Sequence, residues 1–167
     1  FISLQRKIQT VVEALIDSGK NYIAIYPNND YGSEIILNEL NQLEDNPHFR
    51  IFPSIRFEYF LTLLKNAEFM VGNSSAGIRE TGIYGIPAID VGSRQTGRYT
   101  DKDIHIQHVI EDRAQLLRAI EEVPKYRRVV KNYGNGDSSR RFMEILQEDT
   151  IWNIEIQKRF VDIDKTI

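Results

Sequence analysis

The chain has 167 residues, and its 41% of hydrophobic and 27% of charged residues are typical of a globular domain with one core. Its 21 basic and 24 acidic residues give a formal charge of -3, and the basic residues are spread along the chain, which argues against nucleic acid as a partner. The absence of cysteine excludes disulfides and cysteine-bound zinc.

No apolar run reaches the roughly 20 residues that span a bilayer, and the amino terminus has no signal-peptide pattern. We therefore expect a cytoplasmic protein that does not bind membranes. The first residue is Phe1 and not methionine, and a helical pattern begins almost at once. This beginning predicts that the chain is a fragment from which upstream sequence has been removed.

The first predicted elements are a helix, a strand and a second helix. Apolar residues recur at helical spacing between Ser3, the expected N-cap, and Gly19, the expected end of the helix. Residues 22–26 (YIAIY) are an apolar run rich in strand formers, and the turn at residues 27–30 ends this buried strand. Helical spacing then returns and continues to Asn46.

Helices and strands alternate through the rest of the chain. Parallel strands need crossover connections, so strict alternation predicts an α/β fold with a doubly wound, Rossmann-like parallel sheet. Because the chain opens on a helix, a strand that precedes this helix is expected to lie outside the chain. The remaining predicted strands are residues 50–55, 68–71, 87–91 and 105–110, and the remaining helices are residues 57–65 and 77–84, a helix capped by Asp112, and residues 138–147.

Residues 148–167 form a tail that contains Trp152, Ile154, Ile156 and Phe160. A solvated chain end rarely carries so many large apolar side chains. We expect the tail to pack on this domain, on a second domain or on a symmetry mate.

The most informative segment is GNSSAGIRE, residues 72–80, which follows a predicted strand and opens a helix. In open α/β sheets, ligands bind at the carboxyl ends of the strands. Small residues there let backbone N–H groups approach a phosphate, and the hydroxyls of Ser74 and Ser75 add donors. The segment predicts a phosphate site, although the same residues also suit a tight turn that only caps the helix.

Glu80 lies in the next turn of this helix. A carboxylate in that place can accept hydrogen bonds from the two vicinal hydroxyls of a ribose, as acidic residues do in dinucleotide sites. The alternative is a solvated glutamate without a ligand.

Two more polar turns follow predicted strands and therefore belong to the same edge of the sheet. Residues 92–98 (GSRQTGR) carry Arg94, and arginine suits bidentate contacts with phosphate, although the loop also fits an exposed basic turn without a ligand. Residues 27–30 (PNND) carry Asn28. Three strand ends are thus expected to converge on one crevice.

Metal binding and a serine nucleophile have weak support in the sequence. His105 and His108 are three positions apart, and on a strand these positions face opposite sides. No Gly-x-Ser-x-Gly elbow surrounds Ser74 or Ser75. We therefore predict neither a metal ion nor a cofactor.

These segments resemble the carboxy-terminal domain of the UDP-N-acetylglucosamine 2-epimerases. The matching motifs are, in order, GNSSAGIRE at residues 72–80, GIP at 85–87, GSRQTGR at 92–98 and YGNG at 133–136. The Arg-Gln-x-Gly-Arg loop is similar to that of the hydrolysing branch, which includes enzymes of sialic-acid biosynthesis. The non-hydrolysing branch usually has an acidic, threonine-rich loop in this place.

The resemblance implies a glycosyltransferase-B-like architecture, in which two Rossmann-type domains hold the substrate between them. The whole chain, residues 1–167, is then the carboxy-terminal domain, and UDP or UDP-N-acetylglucosamine is its ligand. The UDP-binding residues that the resemblance implies are Ser74 and Ser75 at the diphosphate, Glu80 at the ribose, Arg94 on the nucleotide side, Ile55 at the uracil through its backbone, and Asn28, Asn73 and Gly77 along the site.

The implied reaction is anti elimination of UDP across C1 and C2 of the sugar, followed by addition of water to release N-acetylmannosamine. Elimination needs a base for the C2 proton and stabilisation of the departing diphosphate. In this family the proton-transfer residues belong to the amino-terminal domain, so the chain alone is expected to bind UDP without turnover. The resemblance also implies a homo-oligomer for the intact enzyme.

Three alternatives stay open. A non-hydrolysing epimerase shares the fold, as does the nucleotide-binding half of a glycosyltransferase, but the Gly-Asn-Ser-Ser run and the Arg-Gln loop argue against the glycosyltransferase. A receiver-like signalling domain needs an acidic pair after the first strand, and residues 27–30 offer a single acid.

Overall fold

The computed structural model describes residues 2–100, 102–153 and 156–157. The chain divides into two compact units, Phe1–Asn132 and Tyr133–Ile167. The elements of the first unit are α1 (Ile2–Asp17), β1 (Tyr22–Ile25), α2 (Ser33–Asn41), β2 (Phe49–Phe52), α3 (Phe57–Asn66), β3 (Met70–Gly72), α4 (Ala76–Arg79), α5 (Thr81–Tyr84), β4 (Ala88–Val91), β5 (Ile106–Val109), α6 (Arg113–Glu122) and a 3-10 turn (Val123–Tyr126).

The described strands pair in parallel throughout, which confirms the predicted α/β fold. β1 pairs with β2, and β4 lies between β3 and β5. The strands form two sheets where one continuous sheet was expected, because no described strand pairs with both β1 and β3. In the three-stranded sheet, Gly72, Asp90 and His108 stand opposite one another and form a row at the carboxyl ends of the strands.

The core of the first unit lies between the three-stranded sheet and two helices, α1 and α6. Both helices are amphipathic and turn their apolar side chains towards the same face of the sheet. This packing fixes the strands whose carboxyl ends carry the polar turns. The buried cluster consists of Ala14, Ile89, Val91, Val109, Leu116, Ala119, Ile120 and Val123.

Several predicted boundaries differ from the structure. α1 begins at Ile2, so the expected cap position at residue 3 lies inside the helix. β1 was expected to be buried, but Ile23 is 50% exposed because alternate side chains of a strand point to opposite faces and the face of Ile23 is open. The expected helix at residues 77–84 is two short helices that meet at Glu80.

Among the described residues of the second unit are two helices, α7 (Ser138–Leu146) and α8 (Asp149–Trp152). In the tail, Trp152 is 68% exposed and Ile156 is 96% exposed, whereas Ile154 and Phe160 lie outside the described residues. The packing of residues 148–167 on a partner therefore stays a prediction. None of the described helices combines the length and the hydropathy that a membrane-spanning helix requires.

Candidate functional site

The polar turns after β1, β3 and β4 occupy the carboxyl edge of the first unit. We call residues 72–77 the serine turn and residues 92–98 the arginine loop. An ion pair joins the turn after β1 to the arginine loop, with Arg94 Nη2 3.1 Å from Asp30 Oδ2. Both side chains are largely exposed, so the pair contributes little to stability, but it shows that the two turns meet.

The serine turn presents small polar residues at this edge. Asn73 and Ser74 are exposed, and Ser75 is half-buried. The hydroxyl of Ser74 accepts a hydrogen bond from the Ala76 N–H at 3.3 Å, in a local turn just before α4, whose N-cap residue is Ser75. A Cβ added at Gly77 would lie 3.6 Å from the Cβ of Ala88, so this side of Gly77 faces the sheet. Because glycine has no side chain, any ligand contact of Gly77 involves its backbone.

The arginine loop is held against the serine turn by Gln95. This side chain is 1% exposed, and its Nε2 donates a hydrogen bond of 2.6 Å to the carbonyl of Asn73. Gly92 and Gly97 have φ of 80° and 77°, a region that favours glycine, and they allow the loop to bend back on itself. Arg94 projects from this anchored loop into solvent.

Glu80 lies between α4 and α5 and is half-buried. Its Oε2 is buried and has no hydrogen-bond partner among the described residues. A buried carboxylate oxygen without a donor is unfavourable, and a ligand hydroxyl is one group that can satisfy it. This environment differs from the solvated glutamate that was the alternative.

Ile55 and Asn28 follow the two strands of the other sheet. β2 ends at Phe52, so Ile55 lies in the loop after the strand and is half-buried, while Asn28 is exposed in the turn after β1. The serine turn and the arginine loop belong to the three-stranded sheet. The contact between Arg94 and Asp30 brings these two parts of the carboxyl edge together.

A buried carboxylate, Asp90, underlies the arginine loop, and the sequence patterns did not single it out. Asp90 is 4% exposed and accepts hydrogen bonds from the Tyr99 hydroxyl at 2.9 Å and from His108 Nδ1 at 3.2 Å. Burial, followed by the hydrogen bond to Asp90 and its charge, raises the pKa of Tyr99 well above its ordinary value. The bond holds the residue that follows the arginine loop on β4.

His105 and His108, which the sequence analysis considered as a metal-binding pair, contact different residues. His105 Nε2 lies 3.1 Å from the Thr81 hydroxyl in a buried position, and His108 contacts Asp90. No group of three or more histidine, cysteine, aspartate or glutamate side chains is placed to hold a metal ion within the described ranges.

The sequence profile of the family described as UDP-N-acetylglucosamine 2-epimerase matches residues 3–147. This match covers most of the chain and includes the serine turn and the arginine loop. The chain belongs to this family. The resemblance inferred from the motifs is therefore confirmed at the level of the family.

The chain was compared with two relatives by sequence. The chain is 46% identical over 157 residues to UDP-N-acetylglucosamine 2-epimerase of Neisseria meningitidis serogroup B, covering 91% of this chain and 41% of that protein. It is 30% identical over 146 residues to UDP-N,N'-diacetylbacillosamine 2-epimerase (hydrolyzing) of Legionella pneumophila, covering 87% of this chain and 38% of that protein. The chain therefore spans less than half the length of these relatives.

The fold is similar to that of UDP-GlcNAc 2-epimerase from Methanocaldococcus jannaschii. The TM-score is 0.69 at 24% sequence identity, over 85% of this chain and 41% of that one. A second structure of the same protein, in complex with UDP-GlcNAc and UDP, gives a TM-score of 0.66 over 84% of this chain and 40% of that one. These values show a shared fold, and the solved enzyme has a glycosyltransferase-B-like architecture.

Proposed function

We propose that this chain is the UDP-binding part of a hydrolysing UDP-GlcNAc 2-epimerase, which converts UDP-GlcNAc and water into N-acetylmannosamine and UDP. The family supports a UDP-sugar substrate, and the structurally similar archaeal epimerase is described in complex with UDP-GlcNAc and UDP. The Arg-Gln loop and the Legionella relative, whose name specifies a hydrolysing reaction, support the hydrolysing branch.

The observation that carries the proposal is the direct contact between the two motif segments. The hydrogen bond from Gln95 to Asn73 holds the arginine loop beside the serine turn. A guanidinium and the small-residue turn therefore lie at one edge of a parallel sheet, where ligands of open α/β folds bind. Arginine and backbone N–H groups are the protein donors best suited to a diphosphate.

The site residues have the following proposed roles. Ser74 and Ser75, with the backbone of Asn73 and Gly77, hold the diphosphate together with Arg94. Glu80 accepts hydrogen bonds from the ribose hydroxyls, and its unpartnered Oε2 supports this role. Ile55 contacts the uracil through its backbone, and Asn28 lines the site.

The proposed chemistry assigns leaving-group stabilisation to this chain. Elimination places negative charge on the departing UDP, and donors that are already in position lower the energy of that state. The base for the C2 proton belongs, in this proposal, to an amino-terminal domain of a glycosyltransferase-B-like enzyme. Proton transfer and diphosphate binding are then supplied from opposite sides of one cleft.

Isothermal calorimetry on the 167-residue chain tests the nucleotide assignment. We expect UDP to bind more tightly than ADP, because a pocket that contacts uracil through backbone groups near Ile55 fits a pyrimidine better than a purine. Equal affinity for UDP and ADP would contradict the assignment of a uridine site.

Substitution of Glu80 tests the ribose contact. Glu80→Gln keeps the shape of the side chain but removes the charge that strengthens its hydrogen bonds, and it should weaken UDP binding by roughly 1 to 3 kcal/mol. The effect on 2'-deoxy-UDP should be much smaller, because that ligand lacks one of the two hydroxyls. Glu121→Gln, at an exposed glutamate of α6, is the matched control and should leave affinity unchanged. A large loss of stability with unchanged UDP affinity would assign Glu80 a structural role.

A further inference from the structure

Gln95 is the buried residue among residues 93–98 of the arginine loop, and the other five are exposed. Its neighbours Arg94 and Thr96 are exposed, whereas Gln95 is 1% exposed. Its Nε2 donates to the Asn73 carbonyl at 2.6 Å, and its Oε1 lies 3.4 Å from Arg98 Nη1, which donates to it. The amide therefore has a partner at each end.

The chemistry of these partners requires a glutamine. A backbone carbonyl only accepts and a guanidinium only donates, so the side chain between them must donate at one end and accept at the other. An ionised glutamate would turn a carboxylate oxygen towards the Asn73 carbonyl, and leucine would remove both hydrogen bonds. The bond to Asn73 is partly buried and its loss is unfavourable, so the loop is expected to move when Gln95 is replaced.

We propose that Gln95 is a positioning residue, which sets the distance between Arg94 and Ser74 so that both reach the same diphosphate. This inference rests on the proposed UDP site. Gln95 is adjacent to Arg94 in the chain, and its hydrogen-bond acceptor belongs to Asn73, which is adjacent to Ser74. One partly buried bond thus joins the two segments one residue away from each proposed phosphate contact.

The other contact of Arg94 is a weaker restraint on its position. The Arg94–Asp30 pair is exposed, and exposed ion pairs contribute little and are screened by salt. A diphosphate competes with Asp30 for the same guanidinium. The position of the loop when UDP is bound is therefore set by Gln95, which is buried and keeps its partners.

A double-mutant cycle on the 167-residue chain tests this role, with UDP affinity as the readout. Arg94→Ala alone should weaken UDP binding roughly tenfold, as expected for loss of a charge-assisted hydrogen bond. Gln95→Leu alone should weaken binding by roughly fivefold or more, because it frees the loop that carries Arg94. In the Gln95→Leu background, Arg94→Ala should cost less than about twofold, because Arg94 is already misplaced.

Gln107→Leu is the matched control for the loss of a buried amide. Gln107 is 8% exposed, and its Nε2 donates to the Ala119 carbonyl at 2.9 Å, away from the arginine loop. This variant should lower the melting temperature as Gln95→Leu does, with UDP affinity unchanged. Equal losses of affinity in the two variants would reduce the role of Gln95 to general stability and overturn the proposal.

Gln95→Glu gives a second test, which changes only one end of the side chain. The Arg98 guanidinium, whose Nη1 lies 3.4 Å from Oε1, opposes the effect of burial and favours the ionised carboxylate, which accepts from Arg98 but cannot donate to the Asn73 carbonyl. This variant should therefore weaken UDP binding about as much as Gln95→Leu does. A UDP affinity equal to that of the wild type would overturn the proposal.

The outcomes separate this inference from the proposed function. If the wild-type chain binds UDP no better than ADP, the UDP site itself is wrong, and the inference falls with it. If the wild type prefers UDP but the effects of Arg94 and Gln95 are additive, the UDP site stands and only the positioning role is overturned.

Discussion

His105 is a fully buried histidine beside α5, in hydrogen-bond contact with Thr81. Burial lowers the pKa of His105 below its ordinary value of 6.5 and outweighs the opposite effects of the Asp103 carboxylate and of the Ile78 backbone. The folded protein therefore keeps this imidazole neutral at a pH at which a solvated histidine is already partly charged.

This pKa shift predicts a loss of stability in mild acid. Between the unfolded and the folded pKa of His105, the unfolded chain binds a proton that the folded chain does not bind. The free energy of unfolding should be fully retained above about pH 6.5 and should decrease as the pH falls below it. Urea unfolding at a series of pH values measures this slope.

Two glutamine substitutions assign the slope to one histidine. His105→Gln cannot titrate and can still contact Thr81, so it should flatten the pH dependence. His48→Gln, at an exposed histidine that contacts Asn21, should leave the slope as it is. A slope that persists in His105→Gln would assign the acid sensitivity to another group.

At the residue scale, the sequence motifs indicated the candidate site residues, but not the buried residues that hold the site loops in place. Asp90 is an acid inside an apolar strand, and this alone signals a partner, because buried carboxylates are rarely left unpaired. Its partners are Tyr99, nine positions away, and His108, eighteen positions away. The identity of these partners depends on the path of the loop and on the register of β5. Neither can be predicted from the spacing of residues along the sequence.

At the scale of elements, α6 shows how a single cap residue fixes a helix of the core. The Asp112 carboxylate accepts a hydrogen bond of 2.8 Å from the Gln115 N–H, as the sequence predicted. The helix that follows buries Leu116 and Ile120 against the three-stranded sheet. The cap therefore acts on a helix that helps to fix the site strands, although it lies outside the candidate site.

We predict that Asp112→Ala lowers the free energy of unfolding by about 1 kcal/mol, the usual effect of losing an N-cap acceptor. For a chain of this size, that loss corresponds to a decrease in Tm of roughly 2 to 4 °C, measured by thermal unfolding. Asp112→Asn keeps the acceptor and should lose less than half as much. UDP affinity should stay unchanged in both variants, and a loss of affinity would show that the site is sensitive to α6.

The kinds of element followed from sequence periodicity, whereas several boundaries did not. The predicted strand at residues 50–55 ends at Phe52, because Pro53 has no N–H to donate to the ladder. The expected helix at 77–84 is interrupted at Glu80, where a carboxylate is half-buried without a partner in the described residues. At the same point the Thr81 hydroxyl donates to the Gly77 carbonyl at 2.8 Å, and the periodicity of apolar residues does not indicate this contact.

At the scale of the whole molecule, the alternating pattern predicted parallel pairing but not its division into two sheets. Each helix and strand is specified locally, whereas the order of strands depends on which neighbours are available to pair. The same limit applies to the apolar residues of α7, of which Phe142 and Met143 are 62% and 53% exposed. A sequence pattern identifies such an apolar face, but it does not specify the surface on which the face packs.

Binding of UDP by the chain alone is not expected to be accompanied by catalysis. The chain spans 41% of the length of the Neisseria relative, and our proposal assigns proton transfer to residues outside it. We expect the 167-residue chain to bind UDP yet to release none from UDP-GlcNAc above the rate of a Ser74→Ala control, because diphosphate stabilisation without a base for the C2 proton leaves the elimination barrier high. Coupled detection of UDP measures this rate. Turnover above the control would place proton-transfer groups within this chain, and Glu80 and His108 would be the first to substitute.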